Sequence, residues 1–219
     1  KGYDQAQVYD SAIVSGNVKV YGFAHVGWNS LVSDYAEVFG QATVKLSQFL
    51  NGVGVLGHSK VYDQANVSQA AYVADYAIIN GNAGVNGGNV YGNGTLSNYA
   101  YVGPAGNVID NAIVKGFARI EEGTVGEDAQ VYGHAKITAG NPRVMGAAQV
   151  FENAIVQENA YVYGGSQVYG SAVIKGQVNQ SGQVYGNAVV EAAGGVGGDA
   201  KVHGTAVVTT FVGGGEITQ

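Results

Sequence analysis

Cysteine is missing from the 219 residues, so the chain has neither a disulfide framework nor a cysteine-based metal site, and its redox compartment stays open. Proline occurs only 2 times and charged residues make up only 12%. Lys and Arg number 10 against 16 Asp and Glu, a net charge of −6. No basic cluster is present to neutralise phosphates, which argues against a nucleic-acid partner. Long hydrophobic runs are lacking too. Nothing approaches the roughly 20 apolar residues that span a bilayer, and the opening KGYDQAQ has no signal-peptide core, so no membrane insertion is expected. The chain begins at Lys1 rather than Met, as expected of a processed protein or a fragment of a longer one.

What is abundant points to short strands joined by tight turns. Hydrophobic residues form 46% of the chain and Gly contributes 36 residues, a poor composition for helices and a good one for turn-rich β structure. The stretch Ala148 to Gln177 reads AQVFEN, AIVQEN, AYVYGG, SQVYGS, AVIKGQ. Each sextet has a small residue first and Val or Ile third. Internal repeats of this kind are settled before any single motif is interpreted.

Extended in both directions, the third-position aliphatics run in steps of six from Val8 through Val44 to Leu50, and resume from Val55 through Val85. Shorter steps of five separate Leu50 from Val55, Val85 from Val90, and Ile120 from Val125. A seven-residue step leads from Ile137 to Val144 beside Pro142, a four-residue step from Ile174 to Val178, and Val208 closes the series. When the units are grouped in threes, every irregular step falls between the second and third unit. One turn of the structure therefore holds three units, nominally 18 residues, and one corner tolerates changes of length.

Within a unit the small residue and the aliphatic point inward, their neighbours point outward, and Gly, Asp or Asn makes the corner. Pro104 sits at such a corner, where a missing amide donor is harmless. The expected fold is all-β: a single domain over residues 1–219, a parallel β-helix shaped as a three-sided prism of about 12 coils and some 55 Å long. Units such as AQVYGH (Ala129 to His134), GQVYGN (Gly182 to Asn187) and AIVKGF (Ala112 to Phe117) resemble the hexapeptide-repeat left-handed parallel β-helix superfamily over nearly the whole chain. The left hand comes from that resemblance alone, because parallel crossovers generally favour the right.

This register assigns the outward residues to faces. The first face carries Tyr9, Gly27, Lys45 and Tyr62, and ends in Tyr132, Phe151, Tyr169, Tyr185 and His203, with Gln130, Gln149, Gln167 and Gln183 alongside. Such a ladder stabilises the coils by like-on-like stacking, or presents an aromatic and amide surface to a polysaccharide or a partner protein. The second face is polar, including Ser15, Ser33, Asn51, Ser68 and Gln157. The third is an apolar stripe of Tyr21, Phe39, Leu56, Tyr91, Ile109, Met145 and Tyr163, expected to be covered by homo-oligomerisation or by a flanking domain.

The superfamily resemblance implies an acyltransferase alternative, a trimer using a His general base beside a long loop excursion. The 4 His read as two strand positions, His25 and His203, and two solvated corners, His58 and His134, none beside an insertion longer than one residue. His134 near Glu127 and Asp128 is the first choice for such a base. The acidic group Glu121, Glu122, Glu127 and Asp128 reads as a solvated corner rather than a Ca²⁺ site. Ice binding would need a regular outward Thr ladder, and here Thr is scattered. A filament former similar to bactofilins is a further alternative, because neither end shows a cap. The expectation is a non-catalytic structural or binding module of an extracellular, cell-surface or virion-surface protein, with no catalytic residue, metal or cofactor.

Overall fold

The computed structural model describes residues 5–45 and 54–218. These residues form parallel strands, most of two or three residues, with no helix among them. The strands build three walls. Wall A starts with Gln7–Val8, wall B with Ile13–Val14 and wall C with Lys19–Val20. Each strand pairs with the strand of its own wall one turn later, as Val8 does with Val26, Val14 with Val32 and Val20 with Val38. Wall C is a 12-stranded sheet, so about eleven full turns separate its first and last strands. Walls A and B merge into one 22-stranded sheet because Tyr101–Val108 and Arg119–Val125 run through the corner between them.

Period-two alternation explains the core. Among the described residues the third-position aliphatics from Val26 to Val202 are fully buried, while most of the residues beside them are at least partly exposed. Burying each Val contributes about 1.5–3 kcal/mol, which offsets the entropy lost in ordering short strands. In wall A the first inward position is Ala in every coil, and its carbonyl carries the ladder: Gln7 N–H donates to Ala24 O at 2.8 Å, Thr43 N–H to Ala65 O at 2.9 Å, and Val189 N–H to Ala206 O at 2.8 Å. A methyl group fills the narrow angle of the prism where a longer side chain would overpack it.

The corners turn on residues with positive φ, which Gly, Asp and Asn accept most readily. Asp34 (φ 65°) and Gly57 (φ 67°) stack in one corner column, and the Gly57 N–H donates to Asp34 Oδ2 at 3.1 Å. A Cβ on Gly57 would lie 2.9 Å from the backbone N of Asp75 in the next turn. Close coil stacking thus selects Gly here, and the Asp carboxylate satisfies a corner amide. The same pairing recurs two turns on, where the Gly92 N–H donates to Asp75 Oδ2 at 3.0 Å.

The irregular steps at Val85/Val90, Ile120/Val125, Ile137/Val144 and Ile174/Val178 all lie at the corner from wall A to wall B. Two more strands, Phe211–Val212 and Glu216–Thr218, follow the expected last unit at Val208.

The unit expected at Leu50 needs correction. Val44 pairs with Val67, and Val55 pairs with Val32 and Val73, so at this level the chain passes from wall A to wall B between Val44 and Val55. Leu50 and Asn51 lie outside the described residues. The corner therefore takes an insertion well beyond one residue, and everything before it moves by one wall. Tyr9, Gly27 and Lys45 belong to wall A with Ser68; Ser15 and Ser33 to wall B with Leu56; Tyr21 and Phe39 to wall C with Tyr62. The sequence carries a sign of this. Leu50 keeps the six-residue step, but its sextet has Gln48 where a buried small residue is needed.

Candidate functional site

Each wall presents two outward columns per rung, one before and one after the buried aliphatic. In wall C the column before it holds Gln130, Gln149, Gln167 and Gln183 in direct register. The column after it holds Tyr132, Phe151, Tyr169, Tyr185 and His203, with successive ring centroids 4.9, 4.9, 4.8 and 4.7 Å apart and planes within 10° of parallel. All eight residues expected as a ligand-binding ladder are thus brought together. Their ring spacing is that of the strands themselves.

Both ends of this stack are engaged. Lys115 Nζ lies 5.3 Å from the centroid of Tyr132, a cation–π contact, and His203 Nε2 lies 2.8 Å from Glu216 Oε1. The Tyr132 hydroxyl donates to Gln149 Oε1 at 3.4 Å, tying the ring column to the amide column. Burial raises the Tyr132 hydroxyl above the ordinary phenol value, helped by the Glu152 carboxylate. Burial does the same for Tyr169, with Tyr185 and Glu152 adding to it. Inner rings of this stack have both faces covered by neighbours. Only ring edges and hydroxyls meet solvent.

The expected apolar stripe is divided between two walls. Tyr21 and Phe39 stack at 4.9 Å in wall C, and Phe39 stacks on Tyr62 at 4.7 Å. Asn80 Nδ2 then donates to the Tyr62 hydroxyl at 2.7 Å. Leu56, Tyr91, Ile109, Met145 and Tyr163 remain together in one column of wall B. There Gly126 is buried, and a Cβ on it would sit 2.8 Å from Ile109 Cγ1 and 3.0 Å from Met145 Cε. Ile109 and Met145 thus close over the gap. Tyr161 stacks on Tyr163 at 4.5 Å and widens the strip.

Sequence comparison matches this chain to no family model and to no curated protein. Its functional reading therefore rests on its own residues. Two corner columns escaped the sequence reading. At the corner from wall B to wall C, Tyr35, His58 and Tyr76 stack at 4.8 and 5.1 Å. At the corner from wall C to wall A, Tyr99, Phe117 and His134 stack at 4.9 and 4.9 Å. His58 and His134, expected as isolated turn residues, are members of ring stacks. The second column was visible as a recurring aromatic in the sixth position. The first was hidden by the misplaced unit at Leu50.

The acidic group is dispersed among separate partners. Glu121 accepts from Arg119 Nε and from Thr138 Oγ1, both at 3.0 Å, and these hydrogen bonds, Arg119 first, hold its carboxyl below the ordinary range. Glu122 Oε2 accepts from the Gly140 N–H at 2.7 Å, and Asp128 Oδ1 from Asn111 Nδ2 at 3.1 Å. Among the described residues no three His, Asp or Glu side chains converge as a metal site.

Proposed function

We propose that this chain is a non-catalytic structural module, a stiff β-helical rod in an extracellular or surface protein, and that the wall C ladder reinforces the rod. The observation that carries this reading is the stack from Tyr132 to His203, in which Phe151, Tyr169 and Tyr185 each spend both faces on neighbouring rings. Sugar rings are held by aromatic faces, so a ladder showing only edges suits axial cohesion better than glycan capture. The histidines support the same reading, since His58, His134 and His203 all stack as rings and His25 packs edge-on against Tyr9 at 6.4 Å. The left hand and the hexapeptide-repeat kinship belong to this proposal.

Pulling the full chain along its axis by force spectroscopy tests the role. The Phe151→Ala, Tyr169→Ala double variant is expected to yield at clearly lower force than the wild type. Equal force in both would leave the ladder without a mechanical part. Acyl-CoA turnover abolished by His134→Ala would instead favour the acyltransferase alternative.

A second reading concerns wall B. The column from Leu56 to Tyr163, evened out where Ile109 and Met145 close over Gly126, supports self-association through this wall.

A further inference from the structure

Wall B carries one ring that, unlike the inner rings of the wall C ladder, lies flat on the wall. Phe211 opens the last described rung, in register with Gly195, and its side chain leans back over glycines. A Cβ on Gly195 would lie 2.8 Å from Phe211 Cδ2, one on Gly197 2.8 Å from Cζ, and one on Gly213 3.2 Å from Cε1. Cδ2 and Cε1 are opposite corners of the ring and Cζ is its tip. The ring plane is therefore parallel to the wall, in the layer that side chains at these three positions would fill. One face rests on the strands. The other points straight out, away from the rungs on either side, and Phe211 is 63% exposed. Glycine weakens a strand, and three of them here make the seat for this ring.

A second observation at the same spot points to a ligand. Asn179 is only 7% exposed, and its Oδ1 has no donor among the described residues. A Cβ on Gly197 would collide with this oxygen, so the unpaired acceptor sits beside the tip of the ring, where a small outward tilt of Phe211 uncovers it. Such an oxygen destabilises the free chain, and a ligand donor removes the cost. Gln177, on the rung of Asn179 and in register with Gly195, is exposed and brings a second amide. On the rungs of Gln177, Gly195 and Phe211, wall B and its corners carry a single charge, Asp199. Beside them on wall A, Lys175 Nζ pairs with Glu191 Oε2 at 3.1 Å.

We infer that this part of wall B binds a neutral polysaccharide of glucose-type rings. Their equatorial hydroxyls leave an apolar C–H face to lie on Phe211, a neighbouring hydroxyl donates to Asn179 Oδ1, and Gln177 holds another. The site is independent of the rod role. An anionic chain finds no unpaired cation here. A peptide adding as a strand needs free main-chain donors, and the N–H groups of Asn179 and Gly197 already donate to the Val196 and Val212 carbonyls at 2.8 Å. Recognition falls to side chains.

Isothermal titration of the full chain with cellohexaose tests this. Binding is expected, with an affinity that added salt leaves unchanged. It is expected to be about tenfold weaker in Phe211→Leu, which covers the glycines without offering a ring face, and to persist in Phe211→Trp. Asn179→Ala is expected to bind about fivefold more weakly while unfolding at the same or a higher denaturant concentration, because it removes an unpaired acceptor. An amide with only a structural part would shift the unfolding curve and leave the titration alone. Phe23→Ala, an exposed ring at the opposite end of the rod, is expected to bind like the wild type, and cooperative unfolding curves establish that each variant is folded. No binding of cellohexaose, undiminished binding by folded Phe211→Leu, or an affinity that collapses with salt would overturn the assignment. Sedimentation in which Phe211→Leu turns a wild-type oligomer into monomer would also overturn it, making the ring a contact between copies.

Discussion

Tyr169 and Tyr185 lie face to face, their centroids 4.8 Å apart and their planes 3° from parallel. The spacing is set by the backbone, because parallel strands one turn apart sit at about this distance. Identical positions in successive turns therefore place rings in contact without any adjustment of the main chain. The gain is packing area along the axis, and the cost is the loss of free ring faces. A residue type that often marks a sugar-binding surface becomes, in this repeat, part of the rod.

The tyrosines predict a change in stability at high pH. Tyr132 and Tyr169 are held above the ordinary phenol value chiefly by burial. The unfolded chain then loses these protons first, near pH 10. Their contribution is complete below that pH and is lost as pH rises through the higher folded values. Urea denaturation between pH 8 and 11 is expected to show falling stability, with a shallower fall in Tyr169→Phe. Identical slopes in the two proteins would contradict the assignment.

Glu121 predicts the opposite limb. Hydrogen bonds from Arg119 and Thr138 lower its carboxyl pKa, so its contribution is present above the unfolded value near 4.3 and lost as pH falls through the folded one. The ion pair is partly exposed, with side chains 44% and 41% accessible, and its effect is correspondingly small. Glu121→Gln is expected to flatten the acid side of a stability profile between pH 5 and 2 slightly and to leave the alkaline side unchanged.

Much of this was legible in the sequence, and what was missed has a physical cause. The sextet period gives the coil, since Val or Ile points inward at the third position of each sextet. It does not distinguish the walls, because all three use the same aliphatic column. Ala opens units in all three walls, but only wall A has it in every one. Ala6, Ala24, Ala42, Ala65 and Ala83 all open wall A units, and the longer interval between Ala42 and Ala65 locates the insertion that the Leu50 reading concealed. The grouping of Tyr132, Phe151, Tyr169 and Tyr185 followed from spacing, but the closure of their faces did not. It depends on ring orientation, which the strand repeat and neighbouring side chains decide together.

Wall B carries a prediction about assembly. If the column through Ile109, Met145 and Tyr163 is covered by a second copy, Met145→Asp places a charge in a dry contact, at a cost of several kcal/mol per interface. Sedimentation velocity is expected to show an oligomer for the wild type and a shift to monomer for this variant. A monomeric wild type at all concentrations would remove self-association from the account.

The most direct test of the rod reading separates stability from binding in one protein. Phe151→Ala with Tyr169→Ala removes two neighbouring rings, and a loss of about 2–5 kcal/mol is expected in denaturant unfolding. Binding to a panel of neutral and acidic polysaccharides, measured under conditions where the variant remains folded, is expected to match the wild type. The opposite pattern, unchanged stability with polysaccharide binding abolished, would show that the ladder is a ligand surface and that the structural account is wrong.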